Sequence, residues 1–289
     1  MPAQPLLHFR LLTTIALFCA VAGLSSCASY LTSTFVEPAV GNLRQQTDLE
    51  LVCEGAPAYL LMIDSMIASS PENKNLLRTG TQSYSAYSTA LSECGKSDLR
   101  IAAITDKAHL YGIHLLNKFL PMDEMNGEKF DKKLSKLTKN DVPYVFWGTF
   151  GWISWIQSQS GSPAAMADLV VIEKIMSRLL ELDERYEGGS IHLFFGGYHA
   201  AKPALLGGKP DLSRTHFEKA LALSKRRFLL IQTTYAKTLA RQTLDKELHD
   251  RLLEEVISFP IDSAPEFALS NRIAVKRARR LLEDDYFAE

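Results

Sequence analysis

The side chains with chemistry to offer are few. Seven histidines stand at positions 8, 109, 114, 192, 199, 216 and 249. No His-Glu-x-x-His pair occurs, so the helical arrangement of two zinc ligands and a general base is missing. His109 and His114 are five apart and fall off a common helix face; His192 and His199 are seven apart and share one, with His216 not far along the chain. A tetrahedral metal there would need a further ligand such as Asp211, and the plainer expectation is that His192 and His216 are hydrogen-bonding residues that pin a helical hairpin. Gly207-Gly208-Lys209 has the look of a phosphate loop, but Pro203 stands where the first glycine belongs and Pro210 where the hydroxyl belongs. No Gly-x-Ser-x-Gly elbow exposes a serine nucleophile. The chain reads as a protein that is not an enzyme and that needs no cofactor or metal.

What remains is apolar surface. A helix predicted over 142–158 carries Tyr144, Phe146, Trp147, Phe150, Trp152 and Trp155 on all its sides, with Gly148 and Gly151 between them. A helix apolar all round is buried. It is read either as a core helix whose glycines admit close neighbours, or as a helix whose rings line an apolar ligand cavity. Near the C-terminus Lys276, Arg277, Arg279 and Arg280 form a basic cluster, followed at once by Glu283-Asp284-Asp285. Such a cluster suits the negative end of a solvated last helix, with docking of an acidic partner as the functional reading.

The elements that must position these groups are helices. From Pro38 onward almost nothing alternates with period two, and about a dozen helical segments of 10–20 residues are separated by Pro, Gly, Asn or Ser. The stretch from Gly188 to Ser224 is the clearest unit. It reads as a helix, an elbow at Leu206-Gly207-Gly208-Lys209-Pro210, and a second helix capped by Asp211 with Phe217, Ala220, Leu221 and Ser224 on one face. Its glycines are expected to supply left-handed turn geometry. Large–small pairs at Trp147-Gly148 and Phe195-Gly196, and Phe217 three before Ala220, fit a tetratricopeptide-like pattern at a long spacing. The expected fold is all-α, an α-solenoid of antiparallel helix hairpins. Further upstream, helices are predicted over 38–53 and 56–69, among others.

The remaining features concern location. With 289 residues, 46% hydrophobic content and a net charge of −1, the chain is globular and has no global field that would draw it to nucleic acid. Arg10 precedes an apolar run from Leu11 to Gly23, and Leu24-Ser25-Ser26-Cys27 has the form of a bacterial lipobox. We therefore read residues 1–26 as a lipoprotein signal peptide, Cys27 as the acylated first residue, 27–37 as a flexible tether and 38–289 as one helical domain. The lipid anchor places the domain on the periplasmic side of the envelope, and Ala28 after the cysteine favours the outer membrane. Cys53 and Cys94 remain in the domain, in a compartment that permits disulfides. They either bridge two early helices, closing a loop worth roughly 3–4 kcal/mol, or stay as separate buried thiols.

Between Asp141 and Phe259 the match goes beyond a generic hairpin. Gly189-Ser190-Ile191-His192-Leu193-Phe194-Phe195-Gly196, then Tyr198, Pro203, Leu206-Gly207-Gly208-Lys209-Pro210 and His216-Phe217-Glu218-Lys219-Ala220-Leu221 resemble the signature of the TRAP-transporter-associated T component family. Phe228-Leu229, Tyr235-Ala236, Arg241-Gln242 and Leu244-Asp245 are similar to its continuation. The resemblance implies a non-enzymatic periplasmic lipoprotein of tetratricopeptide-like hairpins. It implies a homotrimer with a central pore, association with the extracytoplasmic substrate-binding protein of a TRAP transporter, and a small, hydrophobic organic ligand. On that reading Trp147, Trp152, Phe195, Tyr198 and His192 are the expected ligand contacts. The alternative is a tetratricopeptide adaptor in envelope protein assembly, binding protein alone.

Overall fold

The computed structural model describes residues 37–125, 127–159, 162–201 and 208–287. The signal segment, Cys27 and the tether as far as residue 36 lie outside the described residues, as do Pro203, Leu206 and Gly207 of the elbow. The chain divides into two compact units, Met1–Gly41 and Asn42–Glu289. Of the described residues the first holds the opening of helix α1 (Glu37–Gln45), and every other helix among them belongs to the second.

All regular structure among the described residues is helical, and the helix starts follow from local chemistry. The Asp48 carboxylate accepts from the Leu51 N–H to open α2 (Leu49–Ser69), and the Asn73 amide oxygen accepts from two N–H groups to open α3 (Lys74–Leu91). Ser97 does the same for α4 (Asp98–Leu116). The predicted break between residues 53 and 56 is absent: α2 runs through Pro57. Proline removes the hydrogen bond to the Cys53 carbonyl, and the Tyr87 hydroxyl donates to that oxygen instead at 3.1 Å.

Next come α5 (Glu128–Ser135), the aromatic helix α6 (Val142–Ser158), the short α7 (Pro163–Ala167) and α8 (Leu169–Leu182). They are followed by α9 (Tyr186–Ala200), α10 (Pro210–Leu223) and α11 (Leu230–Tyr235), which continues as a π-helical turn over Ala236–Ala240. The last two are α12 (Lys246–Ser258) and α13 (Ala268–Glu283). Asp211 does not cap α10: the helix opens one residue earlier on Pro210, leaving Asp211 in the first turn, where its charge still suits the helix end.

Helices near in sequence are near in space: α2 packs on α3, α3 on α4, α4 on α6, α9 on α10 and α12 on α13. Three apolar cores result. One joins α2, α3 and α4; a second joins α5, α6, α8 and α9; a third joins α10 to α13. Leu269 and Ile273 carry α13 into the first core as well, so the last helix packs against the first ones. At the α4–α6 crossing the backbones touch. A Cβ on Gly112 would sit 2.7 Å from the Gly148 carbonyl oxygen, and one on Gly151 2.6 Å from that of Ala108. Cys53 of α2 is bonded to Cys94, in the turn after α3, across a Cα separation of 6.5 Å. Beside it Glu93, its side chain 1% exposed, accepts from Arg277 at 2.7 Å and Arg280 at 3.2 Å, both on α13. Burial pushes the Glu93 carboxyl up, but the two guanidiniums outweigh burial and hold it below the usual carboxylate range.

Candidate functional site: an imidazole and aromatic seam

The seam begins at an unusual bend. Glu187, Gly188 and Gly189 have φ of 47°, 66° and 87°, so the chain turns left-handed for three residues before α9 proper starts at Ser190. For glutamate this conformation costs on the order of 1 kcal/mol or more. Arg44, next to the end of α1, holds it there with a contact of 2.6 Å to the Glu187 carboxylate. The two glycines are favoured by close packing as well as by their backbone conformation. A Cβ on Gly188 would reach the Phe267 ring at 3.0 Å, and one on Gly189 the Leu223 side chain at 3.2 Å. Gly207 of the elbow, where left-handed geometry is expected, lies outside the described residues; the three left-handed residues at the head of this helix are a separate feature.

From that start α9 presents His192, Phe195 and Tyr198–His199 on successive turns of one face, and α10 brings His216 opposite. His192 is 5% exposed. Its Nδ1 lies 2.9 Å from Nδ1 of His216, and its Nε2 lies 3.4 Å from the Glu184 carboxylate. The pattern assigns the proton on His192 to Nε2, facing Glu184, so that Nδ1 accepts from the Nδ1–H of His216. The Phe195 ring is 5.0 Å from the His216 ring and 5.9 Å from that of His199. The Tyr198 hydroxyl donates to Glu173 of α8 at 2.7 Å, and its ring stacks on Phe194. Ser213 donates to the Gly196 carbonyl at 2.7 Å and closes the α9–α10 contact.

All three imidazoles are biased toward the neutral form. Burial lowers the pKa of His192 against the pull of Glu184, and burial together with Lys209 lowers that of His199 against Glu173. Burial, with His192 and His199 alongside, brings His216 down to about 4. A seam of neutral imidazoles, one phenol and two carboxylates at its edge can give and take hydrogen bonds beside aromatic faces. Among the described residues no three His, Cys, Asp or Glu side chains are grouped to hold a metal ion.

The expected ligand residues fall in three places. His192, Phe195 and Tyr198 come together in the seam, joined by His199 and His216. Trp147 is half-buried in the adjoining aromatic group, edge-on to Phe146 and Phe150 at 5.4 Å. Trp152, 2% exposed, sits elsewhere on α6, where its indole N–H donates to Asp168 at 3.0 Å and its ring lies near His109. Spacing did not single out Glu173, Glu184, Tyr186 or the Arg44–Glu187 pair. Each joins residues from different helices, and no local pattern encodes such a contact.

No curated protein matches this chain. The family model described as TRAP transporter T-component matches residues 45–287, so it takes in the three cores, the seam and the disulfide. With an all-helical fold and that match over most of its length, the chain belongs to the TRAP transporter T-component family and is thereby associated with a TRAP transport system.

Proposed function

We propose that this protein is a non-catalytic, lipid-anchored component of a TRAP-type uptake system, held to the outer membrane through Cys27. On this reading it is a homotrimer of stacked hairpins that docks the transporter's periplasmic substrate-binding protein and handles a small organic ligand at the seam. One observation supports the ligand role. The face of α9 combines aromatic rings with neutral hydrogen-bonding groups, at His192, Phe195 and Tyr198, and that mixture suits an apolar molecule with few polar atoms. Of the expected contacts, the half-buried Trp147 and Tyr198 are better placed to meet a ligand than the packed Trp152.

The test is recovery of the full-length lipoprotein from detergent-solubilised envelope. Co-purification of a periplasmic substrate-binding protein, with a small molecule released on denaturation, is the expected result. Weaker recovery of both with Tyr198→Ala, at unchanged helical circular dichroism, ties them to the seam. A second reading has its own support: Trp152 and Phe195 are packed as core residues are, and an adaptor that binds only protein would need no more. Recovery of outer-membrane assembly proteins alone would favour it.

A further inference from the structure

A cleft of about 990 Å³ opens between the first turns of α2, the disulfide-bonded turn at Cys94 and the outer face of α13. It is separate from the seam. Its volume is at the upper end of ordinary ligand sites. The α13 wall bears Arg272 and Arg279, with Glu283 at its end and Lys96 contributed by the turn, and none of the three cations has an acidic partner among the described residues. The α2 wall bears Glu50 and Glu54, likewise without a basic partner among them. Apart from Glu93 with Arg280, charges of opposite sign therefore line one cleft without pairing across it.

The frame of the cleft is fixed. Glu93 takes Arg277 and Arg280 as its own counter-ions, Lys276 donates to the Glu93 carbonyl, and the Cys53–Cys94 bond ties the turn to α2. Those contacts use up part of the basic cluster and leave Arg272 and Arg279 turned to the opening. A simple anion would meet Glu50 and Glu54, and a simple cation would meet the arginines. A molecule carrying both charges satisfies both walls. We infer that the cleft binds a small zwitterion, its phosphate or carboxylate against Arg272 and Arg279 and its ammonium toward Glu50 and Glu54.

This site does not depend on the ligand proposed for the seam, and its test does not touch the seam. The full-length protein in a non-ionic detergent is titrated calorimetrically with glycerophosphoethanolamine, with glycerol 3-phosphate and ethanolamine as single-charge controls. The zwitterion is expected to bind about tenfold more tightly than either control, the scale of one charge-assisted contact. Arg279→Ala should weaken it about tenfold, and Glu54→Gln should remove its advantage over glycerol 3-phosphate. Both side chains are exposed, so the helical circular dichroism should not change; Arg272→Ala serves as a second variant if Arg279→Ala unfolds. Retention on phosphatidylethanolamine vesicles, but not on phosphatidylglycerol vesicles, would identify a lipid headgroup as the source. Binding of the free compound without retention would identify a soluble one. No binding by the wild type, equal binding of glycerol 3-phosphate, or folded variants with wild-type affinity would each overturn the inference.

Discussion

Helices α6 and α9 carry the same written pattern, a large ring followed by glycine, and set it against different neighbours. In α6 the glycine of Trp147-Gly148 lies against α4, where a Cβ would come 2.8 Å from the Leu116 side chain and 3.1 Å from the Gly112 carbonyl, and Gly151, about a turn on, lies against the Ala108 carbonyl at 2.6 Å. In α9 the glycine of Phe195-Gly196 meets the ring of Phe217, which a Cβ would approach to 2.7 Å. Backbone against backbone makes a rigid, dry crossing. Ring against glycine leaves the flank of the contact to side chains, and here those are imidazoles. The difference suggests where a ligand can be admitted without taking the fold apart: beside α9, and not within the α4–α6 crossing.

The largest effect should come from within α6 itself. Trp152 is fully packed and hydrogen-bonded to Asp168, so Trp152→Ala is expected to cost about 3–5 kcal/mol in denaturant unfolding. Trp147→Ala, at a half-buried position, should cost about half as much. Equal costs would make both rings structural and remove Trp147 from the ligand reading.

The two glycines give the next comparison. Gly151→Ala must push the α4 and α6 backbones apart, and about 2 kcal/mol of strain should outweigh the roughly 1 kcal/mol that alanine gains in helix propensity. Gly196→Ala drives a Cβ onto the Phe217 ring, which is fully buried and stacked on Tyr235 and has to shift; with no second backbone in the way, it should cost somewhat less. If the order were reversed, the α9–α10 contact would be the rigid one, and the contrast between the helices would fail.

How much of this was legible in the sequence depends on how local each feature is. The burial of α6 could be read because aromatics on every side leave no polar face, and its limits, 142–158, agree with the helix found. The pinning of the hairpin by His192 and His216 could be anticipated, since both lie within one helix–elbow–helix unit. The continuity of α2 through Pro57 could not, because the group that replaces the lost hydrogen bond is Tyr87, on the next helix. Nor could the left-handed Glu187, since glutamate carries no signal for that conformation and its partner Arg44 lies 143 residues away. Tyr198 and Glu173 show the same limit at a separation of 25. Periodicity reports which face is buried; it does not report which polar atoms meet across two helices.

The smallest expected effect is the most specific to the seam. His192 and His216 share one proton between two Nδ1 atoms, and a second proton would set donor against donor at 2.9 Å. The surrounding charges do not rescue that state: Glu184 and Lys219 face His192, His199 faces His216, and Lys209 and Glu173 face His199. The folded-state pKa of His216, about 4, lies below its ordinary value of 6.5, so between those values the unfolded chain binds more protons. Its contribution to stability is therefore complete above about pH 6.5 and is lost as pH falls toward 4. Thermal unfolding should show Tm falling by a few degrees from pH 7 to pH 5. His216→Asn keeps a neutral hydrogen-bonding group near the Nδ1 position and cannot titrate, so its Tm should fall less over the same interval. Parallel profiles for the two proteins would mean that the imidazole pair is not the group titrating, and that α9 is as indifferent to protons as α6.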